Sequence, residues 1–270
     1  MESHLNKLPM QRRVCHSSGC WTAIRPQFLL IQRHSFRRMQ MDTLLKRVIG
    51  VIGCLWYLLH TRPDLSYAVG VASRFMEHPT MMHLKAVKQI LRYLKGTIDC
   101  GLVYTAGSGE ITITGYTDSD LAGDVDDRRS TGGMAFYINN SLVAWSSQKQ
   151  KTVTLSSCEA EFMAATAAAC HALWLRALLG ELLGEEAKLV KLFVDNKSAI
   201  ALMKNPVFRG RSKHIDTRYH FIRECIEGRQ ILVKFVRSEE QHADALTKGL
   251  PAAKLATTRF LLGVHDLGER

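Results

Sequence analysis

Four carboxylates, Asp118, Glu159, Asp195 and Asp244, occupy positions from which they could act together on a phosphate. Asp118 follows the alternating stretch ITITGYT (111–117), and Asp195 follows the apolar stretch KLVKLFV (188–194). Glu159 falls in the first turn of a long Ala- and Leu-rich segment, and Asp244 opens a short final helix. In an open α/β sheet, strand ends and helix starts at a common edge line the binding crevice, so the four can converge there. Such a cluster is repulsive unless hard cations neutralise it, and Mg²⁺ prefers carboxylate and water oxygens. Two ions roughly 3.5 to 4 Å apart would bracket a phosphodiester, one activating water and the other stabilising the departing 3′ oxygen. The expected chemistry is therefore phosphodiester hydrolysis with two Mg²⁺ ions, Mn²⁺ being able to substitute.

Each acid also has an ordinary structural reading. Ser156 and Glu159 form the SxxE pattern of a capping box, in which the glutamate holds a backbone donor at the helix start. Asp195 can serve as an N-cap, and Asp244 as a first-turn acid favoured by the helix dipole. Asp118 lies in a loop shared with Asp120, Asp124, Asp126 and Asp127, all plausible turn residues. The residue types and spacing leave both readings open.

The elements that must position these acids are legible from periodicity. Strands are expected at 111–117, 133–139, 142–147, 188–194 and 231–236, with helices at 157–183, after Asp195, and near 212–227. Three hairpin-linked strands followed by alternating helices and strands predict an α/β fold with a mixed five-stranded sheet flanked by helices. Upstream, helices near 44–59, 64–76 and 81–95 are separated by the turns TRPD and EHPT. The third carries an apolar stripe, Leu84, Val87, Leu91 and Leu94, beside a basic one, Lys85, Lys88, Arg92 and Lys95. The basic stripe is either a solvated face or a rail for phosphates. The division expected is an unassigned, disordered leader over 1–41, a helical module over 42–108, the α/β domain over 109–250, and a tail with a short helix over 251–270.

Composition narrows the partners. Lys and Arg number 36 against 25 Asp and Glu, a net charge of +11, which favours a polyanion. Seven cysteines without a CxxC pair argue against a zinc site or disulfide framework and for a reducing compartment, cytoplasm or nucleus. The longest apolar run noted, Val48 to Leu59, is short of the ~18 to 20 residues a spanning helix needs, so no membrane partner is expected. The leader is Arg-rich with one acid, Glu2, a pattern that transit peptides share.

Several strings are longer than chance produces: YLLHTRPDLSYAVGVASRFM (57–76), AVKQILRYLKGT (86–97), GYTDSDLAGDVDDRRSTGG (115–133), AWSSQKQKTVTLSSCEAEFMA (144–164), FVDNKSAIAL (193–202), SKHIDTRYHFIRE (212–224) and HADALTKGLP (242–251). Over residues 42 to 251 the chain resembles the C-terminal part of a copia-type LTR retrotransposon Pol polyprotein. The resemblance implies a ribonuclease H domain preceded by a remnant of the reverse transcriptase thumb or connection. It implies a Mg²⁺-dependent nuclease cutting the RNA strand of RNA/DNA hybrids, with metal ligands on Asp118, Glu159, Asp195 and Asp244. No polymerase motif with paired aspartates appears, so DNA synthesis is not expected. The VIGVIG repeat at 48–53 and Leu121 depart from the family pattern without touching a ligand.

Around the acids, Arg128, Arg129, Ser130 and Thr131, and Ser147, Lys149, Gln150 and Lys151, are expected to contact phosphates and 2′ hydroxyls, with ordinary turn roles as the alternative. His214 and His220 are read as surface-bonding residues, His242 as a possible carrier of protons near the site, and Trp145 and Trp174 as core. Two other functions stay in view: a catalytically inactive nucleic-acid-binding remnant, and a DDE-type strand transferase. The acid order Asp, Glu, Asp, Asp and the lack of an upstream His/Cys zinc cluster weigh against the latter.

Overall fold

The computed structural model describes residues 41–105, 110–184, 188–204 and 213–268. Residues 1–40 of the expected leader, and the side chain of His214, lie outside the described part. The chain divides into two compact units, one running to Val103 and resuming at Val264, the other spanning Tyr104–Gly263.

The first unit contains α1 (Met41–Leu58), a 3₁₀ turn (Pro63–Leu65), α2 (Ser66–Ser73), α3 (Met81–Gly96) and β1 (Cys100–Leu102). Val48, Ile52 and Leu55 of α1 fall at i, i+4 and i+7 and close over Val69 and Ala72 of α2 and Leu84, Val87 and Ile90 of α3. The TRPD turn is more than a connector. Arg62 is fully buried, and its guanidinium donates to both oxygens of Asp64 at 2.9 and 2.6 Å and to the Thr97 carbonyl at 2.9 Å. Tyr93 donates to the same Asp64 at 2.7 Å, so one buried ion pair ties the start of α2 to the end of α3. β1 pairs antiparallel with Val264–Asp266, a strand that periodicity over three residues cannot reveal.

The second unit opens with the meander β2 (Ile113–Ser119), β3 (Thr131–Ile138) and β4 (Ser141–Lys149). It continues through α4 (Ser157–Leu183), β5 (Val190–Val194), α5 (Lys197–Lys204), α6 (Lys213–Glu227) and β6 (Ile231–Phe235). Two 3₁₀ turns (Ser238–Glu240 and His242–Leu246) lead to α7 (Ala252–Leu261), and the chain ends with β7 (Val264–Asp266) in the first unit. The sheet order is β4-β3-β2-β5-β6, with antiparallel pairing within the meander and parallel pairing of β2 with β5 and β5 with β6. This is the expected mixed five-stranded sheet.

α4 is the helix on which the core is built. Ser156 caps it by accepting from the Glu159 N–H at 3.1 Å, and Gly184, at φ 65°, ends it in the left-handed conformation glycine tolerates. Its stripe of Ala165, Ala168, Ala169 and Ala172 lets it lie close to Phe136, Val190, Leu192 and Val194 of the sheet. By length and composition α4 is apolar enough to cross a membrane, a stretch longer than the Val48–Leu59 run, but it lies in this core. Trp174, expected in the core, is 55% exposed because it lies on the opposite side of α4 from Ala165, Ala168 and Ala172. The unit also extends past residue 250: Tyr137 Oη donates to the Leu261 carbonyl at 3.0 Å, which binds the end of α7 to β3.

Candidate metal centre

β2 and β5 are neighbouring parallel strands in which Thr117 is registered with Val194. The next residues, Asp118 and Asp195, therefore emerge side by side at the carboxyl edge. Asp195 is not the cap of the following helix, because Asn196 takes that place, its Oδ1 accepting from the Ala199 N–H at 3.0 Å. Nor is Asp118 interchangeable with the other acids of its loop. Asp120 accepts from the Thr131 N–H, and Asp124 accepts from the N–H groups of Asp126 and Asp127 at 3.1 and 3.4 Å.

The third carboxylate at this edge is Glu161, which the sequence reading passed over. It is 5% exposed, and its Oε1 accepts from the Ser119 N–H at 3.0 Å. One carboxylate oxygen each of Asp118, Glu161 and Asp195 lie within 4.8 Å of one another. Glu161 Oε2 is buried with no hydrogen-bond partner among the described residues. A buried polar atom left unpaired is costly, and a cation is the partner this carboxylate chemistry suits. Burial, then the charges of Asp118 and Asp195, hold the Glu161 carboxyl far above the usual carboxylate range. Burial and Asp118 likewise push Asp195 up to about 6.

Glu159, assigned as a ligand by resemblance, stands elsewhere, and this is a correction. Its Oε2 turns back to accept from the Leu155 N–H at 2.8 Å, completing the box with Ser156. Two residues advance a helix by about 200°, so Glu159 and Glu161 point to nearly opposite sides. The neglected signal is phase: Glu161 stands four, seven and eleven residues before the buried Ala165, Ala168 and Ala172, a carboxylate on the core side of the helix.

Asp244 adjoins the cluster without joining the three. It is 1% exposed; Lys248 Nζ lies 2.5 Å from its Oδ1 and Lys254 Nζ 2.5 Å from its Oδ2. Lys248 also reaches to 3.6 Å from Asp118 Oδ2, which Thr247 Oγ1 bonds as well. Burial works against the Lys248 charge, but Asp118 and Asp244 outweigh it and its pKa is raised. Gln241 aligns the two halves of the site: its Nε2 donates to the Thr117 carbonyl at 2.9 Å while its Oε1 accepts from the Ala243 N–H at 3.2 Å. Neither Lys248, Lys254 nor Gln241 was singled out from the sequence.

His242 does not face the acids. Its ring stacks on Tyr116 with centroids 3.8 Å apart, and its Nδ1 lies 2.9 Å from Tyr137 Oη. Since that hydroxyl donates to Leu261, the imidazole is the donor here, through Nδ1–H. Burial lowers its pKa to about 4, so it is neutral and serves as a wedge behind the turn that carries Asp244.

Of the expected nucleic-acid contacts, several are engaged internally. Ser130 is fully buried, bonding the Ala122 N–H and Thr154, and Thr131 is buried in β3. Lys149 Nζ lies 2.6 Å from Asp124 and 2.8 Å from Asp127, and that contact draws the Asp124 carboxyl down to about 2. Gln150 Nε2 donates to Ser119 Oγ at 3.1 Å and to the Ala160 carbonyl at 2.9 Å, tying β4 to α4. In the free protein these four side chains are thus engaged with other groups of the chain, as buried polar groups generally are. Arg129 pairs with Asp127 at 3.5 Å, and Arg128 is exposed at φ 57°. In the first unit Lys85, Arg92 and Lys95 are exposed and Lys88 is half-buried.

Among known proteins the chain is 43% identical over 218 residues to the "Retrovirus-related Pol polyprotein from transposon TNT 1-94" of Nicotiana tabacum. It is 42% identical over 217 residues to the corresponding polyprotein from transposon RE1 of Arabidopsis thaliana. These matches take in 80% and 78% of the chain but only 16% and 15% of the relatives' lengths. No protein-family model matches. Among solved structures, an N-terminal RNase H domain from Mycobacterium tuberculosis aligns with a TM-score of 0.39 at 14% identity, over 56% of this chain and 98% of that one.

Proposed function

Because this chain belongs to the copia-type retrovirus-related Pol polyproteins of transposons, we propose that its ribonuclease H-like domain, Tyr104–Gly263, hydrolyses the RNA strand of RNA/DNA hybrids. The observation that carries this reading is the convergence of Asp118, Glu161 and Asp195 within 4.8 Å, with a buried Glu161 oxygen left unpaired. These residues fit divalent ions, Mg²⁺ or Mn²⁺, with Asp244 beside them. Bound ions would supply an activated water and charge stabilisation at the departing 3′ oxygen. The chain's own part is to hold the carboxylates apart from their usual hydration: Gln241 locks the edge of β2 to the Asp244 turn, and Ser119 orients Glu161.

The first unit, read as the end of a reverse transcriptase region, presents Lys85, Arg92 and Lys95 to solvent. We assign this face to phosphates of the bound nucleic acid, which would position substrate without reading sequence. The chain is not a polymerase in this reading.

The test is cleavage of a hybrid labelled on its RNA strand by the protein and its Asp195→Asn variant, with Mg²⁺ and then with chelator. Cleavage by the parent alone and only with metal supports the assignment. A folded protein that binds the hybrid without cutting it would instead identify an inactive binding remnant.

A further inference from the structure

We propose that Lys248 is a built-in counter-ion of the carboxylate centre, its ammonium standing between Asp118 and Asp244 where a second divalent ion would bind. The inference rests on the metal-dependent reading above and adds a division of labour to it. Asp118, Glu161 and Asp195 take one ion in the free protein. The second enters only when Lys248 leaves for another anion, and the arriving scissile phosphate is the anion that the proposed reaction brings to the site.

Three observations carry this. An ammonium stands 2.5 Å from each oxygen of Asp244, Lys248 at Oδ1 and Lys254 at Oδ2, the second an ion pair without a well-directed hydrogen bond, whereas Glu161 has no cationic side chain in ion-pair contact among the described residues. The charges also balance for one ion: once a cation ionises Glu161, the four carboxylates Asp118, Glu161, Asp195 and Asp244 against the two ammoniums leave two negative charges. Finally, the Lys248 side chain is 42% exposed although Asp118 and Asp244 are buried, so its flexible stem can swing outward without disturbing the core. Thr247, the neighbouring residue, stays on Asp118 and keeps that carboxylate oriented when the ammonium departs.

The experiment counts Mn²⁺ bound by the full chain without nucleic acid, by calorimetry and by electron paramagnetic resonance, for the parent, Lys248→Met, Lys248→Gln and Lys248→Arg. The expected result is one ion for the parent and for Lys248→Arg, and two for the Met and Gln variants, the second bound at least about tenfold more tightly than any second ion of the parent. Circular dichroism melting checks that each variant folds, and the Gln variant stands in should Met disturb the turn. Two ions bound by the parent, or one ion by the parent and by both neutral variants, would overturn the role of Lys248 while leaving the metal centre intact. If neither parent nor variants bind Mn²⁺, the metal reading and this proposal fall together.

Discussion

At the scale of single residues, two glutamates two positions apart divide between structure and chemistry. Exchanging Glu161 for Gln should lower metal affinity by more than the roughly 100-fold that loss of an outer-shell partner costs, and abolish hybrid cleavage in the same assay. Exchanging Glu159 for Ala should leave cleavage intact while lowering stability by about 1 kcal/mol, the usual cost of a lost cap; chemical denaturation distinguishes the two. Asp195 provides a pH-dependent signature. Its carboxyl is raised to about 6 by burial and by Asp118, so above that pH the folded, metal-free protein carries a charge that folding disfavours. As pH falls through about 6 toward the ordinary carboxylate range, the folded state takes up the proton first and the penalty is relieved. Metal-free Asp195→Asn should therefore melt higher than the parent near neutral pH, with the gap narrowing on acidification. A gap independent of pH would contradict this account.

At the scale of elements, the centre depends on how closely the Asp244 turn approaches β3. Gly133 pairs with Asp118 across the β2–β3 ladder, and a Cβ there would lie 2.8 Å from Leu246 Cβ and Thr247 Cγ2. Gly133→Ala should cost about 1 to 3 kcal/mol through overpacking and reduce cleavage by displacing Thr247 and Lys248, measurable by urea denaturation and turnover on the same preparation. In the first unit the corresponding device is the Arg62–Asp64 pair. Arg62→Met leaves Asp64 buried without its partner, a change worth roughly 3 to 5 kcal/mol, and hydrogen exchange should show α2 and α3 losing protection. The TRPD string was legible as a turn. Its function as a buried clamp was not, because Tyr93 and Thr97 come from the end of α3 and the residue after it, about thirty residues on.

At the scale of the whole molecule, the excess of eleven positive charges is a statement about association, not fold. Hybrid affinity should fall steeply with salt. Replacing Lys85, Arg92 and Lys95 together with Ala should reduce the slope of log affinity against log salt by about 2 to 3, near 0.9 per lost phosphate contact, without altering cleavage at saturation. An unchanged slope would make this stripe an ordinary solvated face. Lys149 at the end of β4 behaves otherwise: it is paired with Asp124 and Asp127, so its removal should register in stability before binding.

The sequence by itself determined what repeats along the chain. Period-two and helical patterns placed the five strands of the sheet and α4, and the long strings around Asp118, Asp195 and Asp244 identified the family, because these depend only on local order. What only the tertiary structure decided is which side chains meet. The phase of α4 turned Glu161 inward and Glu159 outward, and the packing of the 3₁₀ turn against β2 and β3 brought Thr247 and Lys248 to Asp118. Ser130 and Gln150 spend their polarity inside the protein for the same reason: contact is set by three-dimensional packing, and spacing along a chain limits it without selecting it.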